Sequence, residues 1–194
     1  MRIMNKRHSY LSSDLKIRSD EEKGEAYIEG YFVVYNQRTE LWPSVYEEIA
    51  PSALERSINT EKVNVIALDN HDTRVVLGSV ESGTLELKSD SHGLYGRVKI
   101  DLEDPFAKSA LRKVHTGKVR GCSFGFYPKS ERAISNDDGT MTYRVEDADL
   151  IEVSITAFPA YPQTEIAARQ KDIEKIKKQK LEQRKKALLE RMKN

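Results

Sequence analysis

Three side chains, far apart in a chain of 194 residues, have the types needed for acyl transfer: Ser123, His71 and Glu152. Ser123 lies in "VRGCSFGFYP", a short apolar run with the composition of a strand. Successive side chains of a strand face opposite sides. Ser123 therefore shares a face with Gly121 and Gly125, while Cys122 and Phe124 share the other. A serine cleared on both sides suits a substrate backbone laid against the strand, with a nearby N–H available to an oxyanion. The plainer reading, which spacing alone favours, is that the glycines permit close packing of a strand or helix.

His71 stands in "ALDNHD", where an apolar strand closes on a polar cluster. A histidine there can accept a serine proton at neutral pH, a role worth roughly 10²–10⁴ in rate. Asp69 and Asp72 flank it and could raise its pKa; taken alone, it reads as a solvated loop residue. In "DLIEVSITAF", alternation places Leu150, Glu152 and Ser154 on one face and Ile151, Val153 and Ile155 on the other. A carboxylate buried in so apolar a strand needs a partner, and orienting a histidine is one such partnership. On a half-exposed strand it would simply face water. Cys122 is a rival nucleophile, but parity prevents Cys122 and Ser123 from both facing His71. His92 reads as turn chemistry before Gly93, His115 suits the last turn of a helix, and His8 lies in an end expected to be flexible. There is no His-x-x-x-His or cysteine pair with metal-ligand spacing and no phosphate-binding glycine loop, so neither a metal nor another cofactor is expected.

The elements that must position these residues are mostly short strands. "DLKIRSDEEKGEAYIEGYFVVYN" reads as a hairpin, with strands near 14–18 and 25–35. "KVNVIAL", "VVLGSV", "TLELKS", "GLYGRVKI", "VRGCSFGFYP", "MTYRVEDA" and "LIEVSITAFP" follow as strand candidates. Two helices interrupt them. "APSALERSIN" carries Pro51 near its start, and "EDPFAKSALRKVHTGK" has Asp104 to cap, Pro105 in the first turn and Gly117 after a basic last turn. The expected fold is mainly β with flanking helices (α+β), a closed or partly open β-barrel with helices packed outside.

Three regions are expected: a flexible N-terminus over 1–13, one folded domain over 14–166, and a basic helical tail over 167–194. From Glu165 onward there is no glycine or proline, and basic residues outnumber acidic ones by about two to one. The stripe of Ile173, Ile176, Leu181 and Leu188 is too thin for a coiled coil, leaving a solvated helix or a segment that docks on an acidic partner. The net charge of +1 offers no argument for nucleic acid or a membrane as partner. A single cysteine excludes an internal disulfide. The N-terminus lacks the apolar core of a signal peptide, and no apolar run reaches the roughly 18 residues of a spanning helix. A soluble protein made in a cytoplasm is expected.

The order "EGYFVVYN", "EEIAPSALERSI", "VIALDNHD…VLGSV", "DSHGLYGRVKI", "GCSFGFYP" and "LIEVSITAFPAYP" resembles the prohead maturation proteases of tailed bacteriophages, over about residues 14 to 166. The most specific parts are the Asn-His-Asp turn, the Gly-x-Ser-Phe-Gly-Phe strand and the Glu-Val-Ser strand ending near Pro-Ala. The resemblance implies a herpesvirus-protease-type barrel and a serine endopeptidase, with Ser123 as nucleophile, His71 as general base and Glu152 at the position best matching a third member. Oxyanion donors would come from backbone N–H groups, by analogy in the loop after "ITAFPAYP". The implied substrates are the major capsid protein with its scaffolding segment and the protease's own terminus, inside the assembling procapsid in the host cytoplasm. A homo-oligomer such as a dimer is also implied. The tail would then serve to recruit the protease into the shell. "APSAL" departs from the family's usual Pro-Gly-Ala-Phe stretch, with Ser52 and Leu54 in place of glycine and phenylalanine, a packing change near the first helix. The rival reading is a non-enzymatic capsid-assembly or scaffolding factor on the same fold.

Overall fold

Period-two apolar patterning dominates the chain, and strands dominate the computed structural model, which describes residues 7–12, 15–20, 24–59 and 63–157 together with Glu182 and Lys185. In chain order these are β1 (Arg7–Ser12), β2 (Lys16–Asp20), β3 (Glu25–Val34), β4 (Thr39–Trp42), β5 (Val45–Ile49), α1 (Glu55–Ile58), β6 (Ile66–Asp69), β7 (Asp72–Ser79), β8 (Leu85–Ser89), β9 (Gly93–Ile100), α2 (Pro105–His115), β10 (Gly121–Ser135) and β11 (Met141–Thr156). Apart from Glu182 and Lys185, the expected basic tail lies outside the described residues. Arg7–Ser12, within the end expected to be flexible, form β1: their backbone groups pair with β10 from Arg7↔Phe126 to Ser12↔Gly121, and Arg7 forms ion pairs with Glu131 and Glu47. Ladder hydrogen bonds there offset the entropy of ordering the segment.

Two sheets result. One has four antiparallel strands in the order β2-β3-β9-β8. The other has seven and follows β1-β10-β11-β5-β4, with β6 also on β11 and β7 on β6. The described strands form no closed barrel. β1, β4 and β7 in one sheet, and β2 and β8 in the other, each pair on one side only. Nor do helices ring the sheets: among the described elements α1 has four residues and α2 eleven. A shared apolar core joins Ile28, Phe32, Leu94 and Val98 to Cys122, Phe124, Phe126, Leu150, Val153 and Ile155.

β11 organises the larger sheet. Along one edge it pairs antiparallel with β10; along the other it pairs parallel with β5 over Met141–Val145 and then with β6 over Glu152–Ile155. Between those two partners the α1 region supplies the missing hydrogen bonds. Ser57 Oγ donates to Ala148 O (2.9 Å) and accepts from Leu150 N (2.9 Å), and Ala148 N donates to Ala53 O (2.9 Å). Buried backbone groups need such partners. Ser57, 2% exposed, thus satisfies the β11 backbone just before Glu152.

A bulge changes one expected facing. Gly125 pairs with Glu152 but Phe126 pairs with Leu150, so Ile151 is an extra residue on β11. Leu150 therefore faces the apolar core with Phe126, opposite to Glu152, although simple alternation put Leu150 and Glu152 together. α2 follows its sequence signals closely. Asp104 Oδ1 accepts from Phe106 N (2.8 Å), Pro105 opens the first turn, and Gly117 takes the left-handed conformation (φ 67°) that ends many helices. Ala107, Ala110 and Val114, one face of the helix, are buried.

Candidate active site

His71 owes its position to a two-residue hairpin turn. Asp69 and Asp72 close the β6–β7 ladder, and Asn70 and His71 between them have φ of 56° and 61°. Positive φ at both central positions is the type I′ pattern, normally met by Asn-Gly because L-residues with a Cβ resist this region. A histidine there is strained by about 1–2 kcal/mol, and such strain persists only where neighbours over-determine the turn. They do so here. Asn70 N donates to Ile155 O (2.8 Å), and Thr156 Oγ1 donates to Asn70 Oδ1 (3.0 Å).

The turn presents the imidazole to a buried carboxylate. His71 Nδ1 lies 2.7 Å from Glu152 Oε1, with the histidine side chain 16% exposed and the glutamate fully buried. Ser154 Oγ donates to the other oxygen, Oε2, at 2.6 Å. Ser154 follows Glu152 by two residues on one strand and so shares its face. A carboxylate accepting from both sides keeps the proton on Nδ1 and leaves Nε2 as the basic nitrogen of the neutral ring. The solvent-facing reading of Glu152 is excluded, and removing either partner would leave a buried charge short of hydrogen bonds.

Ser123 is fully buried and pairs directly with Ser154 across β10–β11. Opposed residues of an antiparallel pair share a face, their Cβ atoms about 4.5–5.5 Å apart. Ser123 therefore stands on the face of Ser154, Glu152 and the His71 ring. Gly125 lies opposite Glu152 and Gly121 opposite Thr156, so neither flanking position adds a side chain to the face of the carboxylate. Cys122, the rival nucleophile, points the other way into the apolar core.

The flanking aspartates have other partners. Asp69 Oδ2 accepts from Lys113 Nζ at 2.5 Å. Asp72 accepts from the Arg74 side chain (2.8 and 2.9 Å) and backbone N (3.0 Å), which holds its carboxyl at about 2. Sequence reasoning assigned no task to Ser154, Asn70, Thr156 or Lys113. For Ser154 the i, i+2 spacing from Glu152 was a usable signal; the other contacts are non-local. A cavity of about 690 Å³ lies between the turn and α2, lined by Asp69, Asn70, Phe106, Arg112, Lys113 and Val119 among others. Among the described residues no cluster of three His, Cys, Asp or Glu side chains could hold a metal ion, and no helix is long and apolar enough to cross a membrane.

The family model described as caudovirus prohead serine protease matches residues 13–179. The chain belongs to this family. The fold is similar to that of the bacteriophage T4 capsid assembly protease gp21, with a TM-score of 0.51 at 14% identity, over 78% of this chain and 96% of that one. No curated protein sequence matches the chain. Among the described residues the fold is mainly β with few helices.

Proposed function

We propose that the chain is a serine endopeptidase that processes the major capsid protein with its scaffolding segment, and its own terminus, inside the procapsid in the host cytoplasm. Ser123 Oγ attacks the peptide carbonyl while His71 Nε2 takes its proton. The tetrahedral intermediate collapses as the imidazolium returns that proton to the leaving amine. Water then enters by the same base and releases the acyl group. Glu152 holds the ring's Nδ1–H and stabilises the imidazolium, with Ser154 fixing the carboxylate. The observation that carries this reading is the 2.7 Å contact from His71 Nδ1 to the buried Glu152, on the face where Ser123 pairs with Ser154.

Mass spectrometry of capsid protein co-expressed with either the wild type or Ser123→Ala tests this directly. Processed subunits are expected with the wild type and full-length subunits with the variant. Normal processing by Ser123→Ala would refute the serine mechanism and favour the non-enzymatic assembly factor or a different nucleophile.

A further inference from the structure

We infer that Asp69 and Lys113 form a positioning pair that ties helix α2 to the His71 turn and keeps the imidazole aligned for catalysis; this rests on the serine-protease reading above. The turn's strain sits at Asn70 and His71, and three contacts oppose it. Two come from β11, through Ile155 O and Thr156 Oγ1. The third comes from a different element: Lys113, in the last turn of α2, donates to Asp69 Oδ2 at 2.5 Å. Asp69 is 8% exposed and is also the residue whose pairing with Asp72 closes the turn. Its carboxylate therefore ties the turn to α2, an element separate from β11.

Among the described residues, nearby charges do not duplicate the contact. Asp72 is bound to Arg74 on its own strand. Arg112 and Lys118 line the same cavity, but the ion pair to Asp69 is made by Lys113. A contact between ionised partners is short and directional. Without it Asp69 is a shielded carboxylate lacking its cation, and the turn has one fewer restraint against leaving the left-handed region. The ring's distance to Glu152 then loosens. Misplacement of a catalytic group by about 1 Å can cost on the order of 10² in rate, so even a partial loss is measurable.

The experiment uses the full chain and a peptide spanning the cleavage site mapped on the capsid protein. Lys113→Met and Asp69→Asn are expected to lower kcat by about tenfold or more with KM within about twofold, and Lys113→Arg to restore most of kcat. Lys113→Met should also shift or broaden the low-field proton resonance of the His71 Nδ1–H, observed in chain labelled with ¹⁵N-histidine. The double variant Lys113→Met/Asp69→Asn separates positioning from stability. Removing both partners should return the unfolding midpoint toward wild type while kcat stays low. Recovery of kcat together with stability in the double variant would overturn the inference. So would an unchanged kcat in Lys113→Met beside an inactive Ser123→Ala. If Ser123→Ala itself cleaves the peptide, the serine reading fails and the positioning role falls with it.

Discussion

Two hairpin turns in this chain are spelled almost alike, "DNHD" at residues 69–72 and "DSHG" at 90–93, and each sets a histidine beside an aspartate. In the second, Asp90 satisfies its own loop. Its Oδ1 accepts from His92 N (2.8 Å) and Gly93 N (3.0 Å), and Oδ2 accepts from the Tyr31 hydroxyl at 2.7 Å. The His92 ring rests edge-on against Tyr31 and is exposed. Glycine supplies the close approach there, since a Cβ at Gly93 would come within 2.0 Å of Val33 O. The first turn has no glycine, places two side-chain-bearing residues at positive φ, and aims its histidine at a carboxylate from another strand. One turn is closed by its own aspartate and glycine and leans on β3 through Tyr31 and Val33. The other is held under strain by distant parts of the chain, the usual mark of a site that must hold a reactive geometry.

The largest test of this contrast removes each ring. His71→Ala is expected to lower capsid-protein processing by on the order of 10²–10⁴, the range for losing a general base. His92→Ala should leave processing within about twofold, both rates followed by mass spectrometry of cleaved subunits. Equal losses in the two variants would erase the distinction between the turns.

What the sequence made legible follows the same division between local and distant. Strand parity sent Cys122 and Ser123 to opposite faces, and the structure places Cys122 in the apolar core accordingly. The α2 signals were local, and Asp104, Pro105 and Gly117 stand where they predict. The bulge at Ile151 was not legible, because an extra residue in one strand shows only against its partner's register. Neither was β1, whose order comes from pairing with a strand more than a hundred residues away. The segments of β4 and β5 were passed over, as the short "TELW" and the acidic "VYEEI" lack strong apolar alternation. An expected barrel became two sheets with unpaired edges, since closure depends on how strand ends meet rather than on how many strands there are. Of the candidate site, three residue types and an order could be read from the sequence; the left-handed backbone that brings His71 to Glu152 could not.

A smaller effect separates the turns by stability alone. Asn70→Ala places a residue with a Cβ and no compensating amide at φ 56° and removes the acceptor for Thr156 Oγ1. It should cost about 1–2 kcal/mol in urea unfolding. Ser91→Ala, in the exposed part of the other turn, should change stability by less than about 0.5 kcal/mol. An undetectable cost at Asn70 would mean the left-handed turn stores little strain.

The smallest effect concerns acid and salt. Asp72 is held at about 2 by the Arg74 side chain and backbone N–H. The carboxyl of Asp90 is lowered by the Tyr31 hydroxyl first and then by the backbone N–H groups of Gly93 and His92. A carboxyl lowered in the folded state contributes stability above its unfolded value, 3.8 for both, and loses it as pH falls through the folded value. Asp72→Asn and Asp90→Asn should therefore each flatten the acid limb of stability, with the Asp72 window running from about 3.8 down through about 2. Their salt dependence should differ. The Arg74 side chain is 87% exposed, so its attraction to Asp72 is screened by added salt, whereas Asp90 is held first by an uncharged hydroxyl and amides, with the charge of His92 the last of its causes. Urea unfolding between pH 2 and pH 5, at low and at molar salt, should show the Asp72→Asn difference shrinking with salt and the Asp90→Asn difference persisting. The reverse order would mean that Asp72 is held by its backbone contact and Asp90 by long-range charge, inverting the local roles assigned to the two turns.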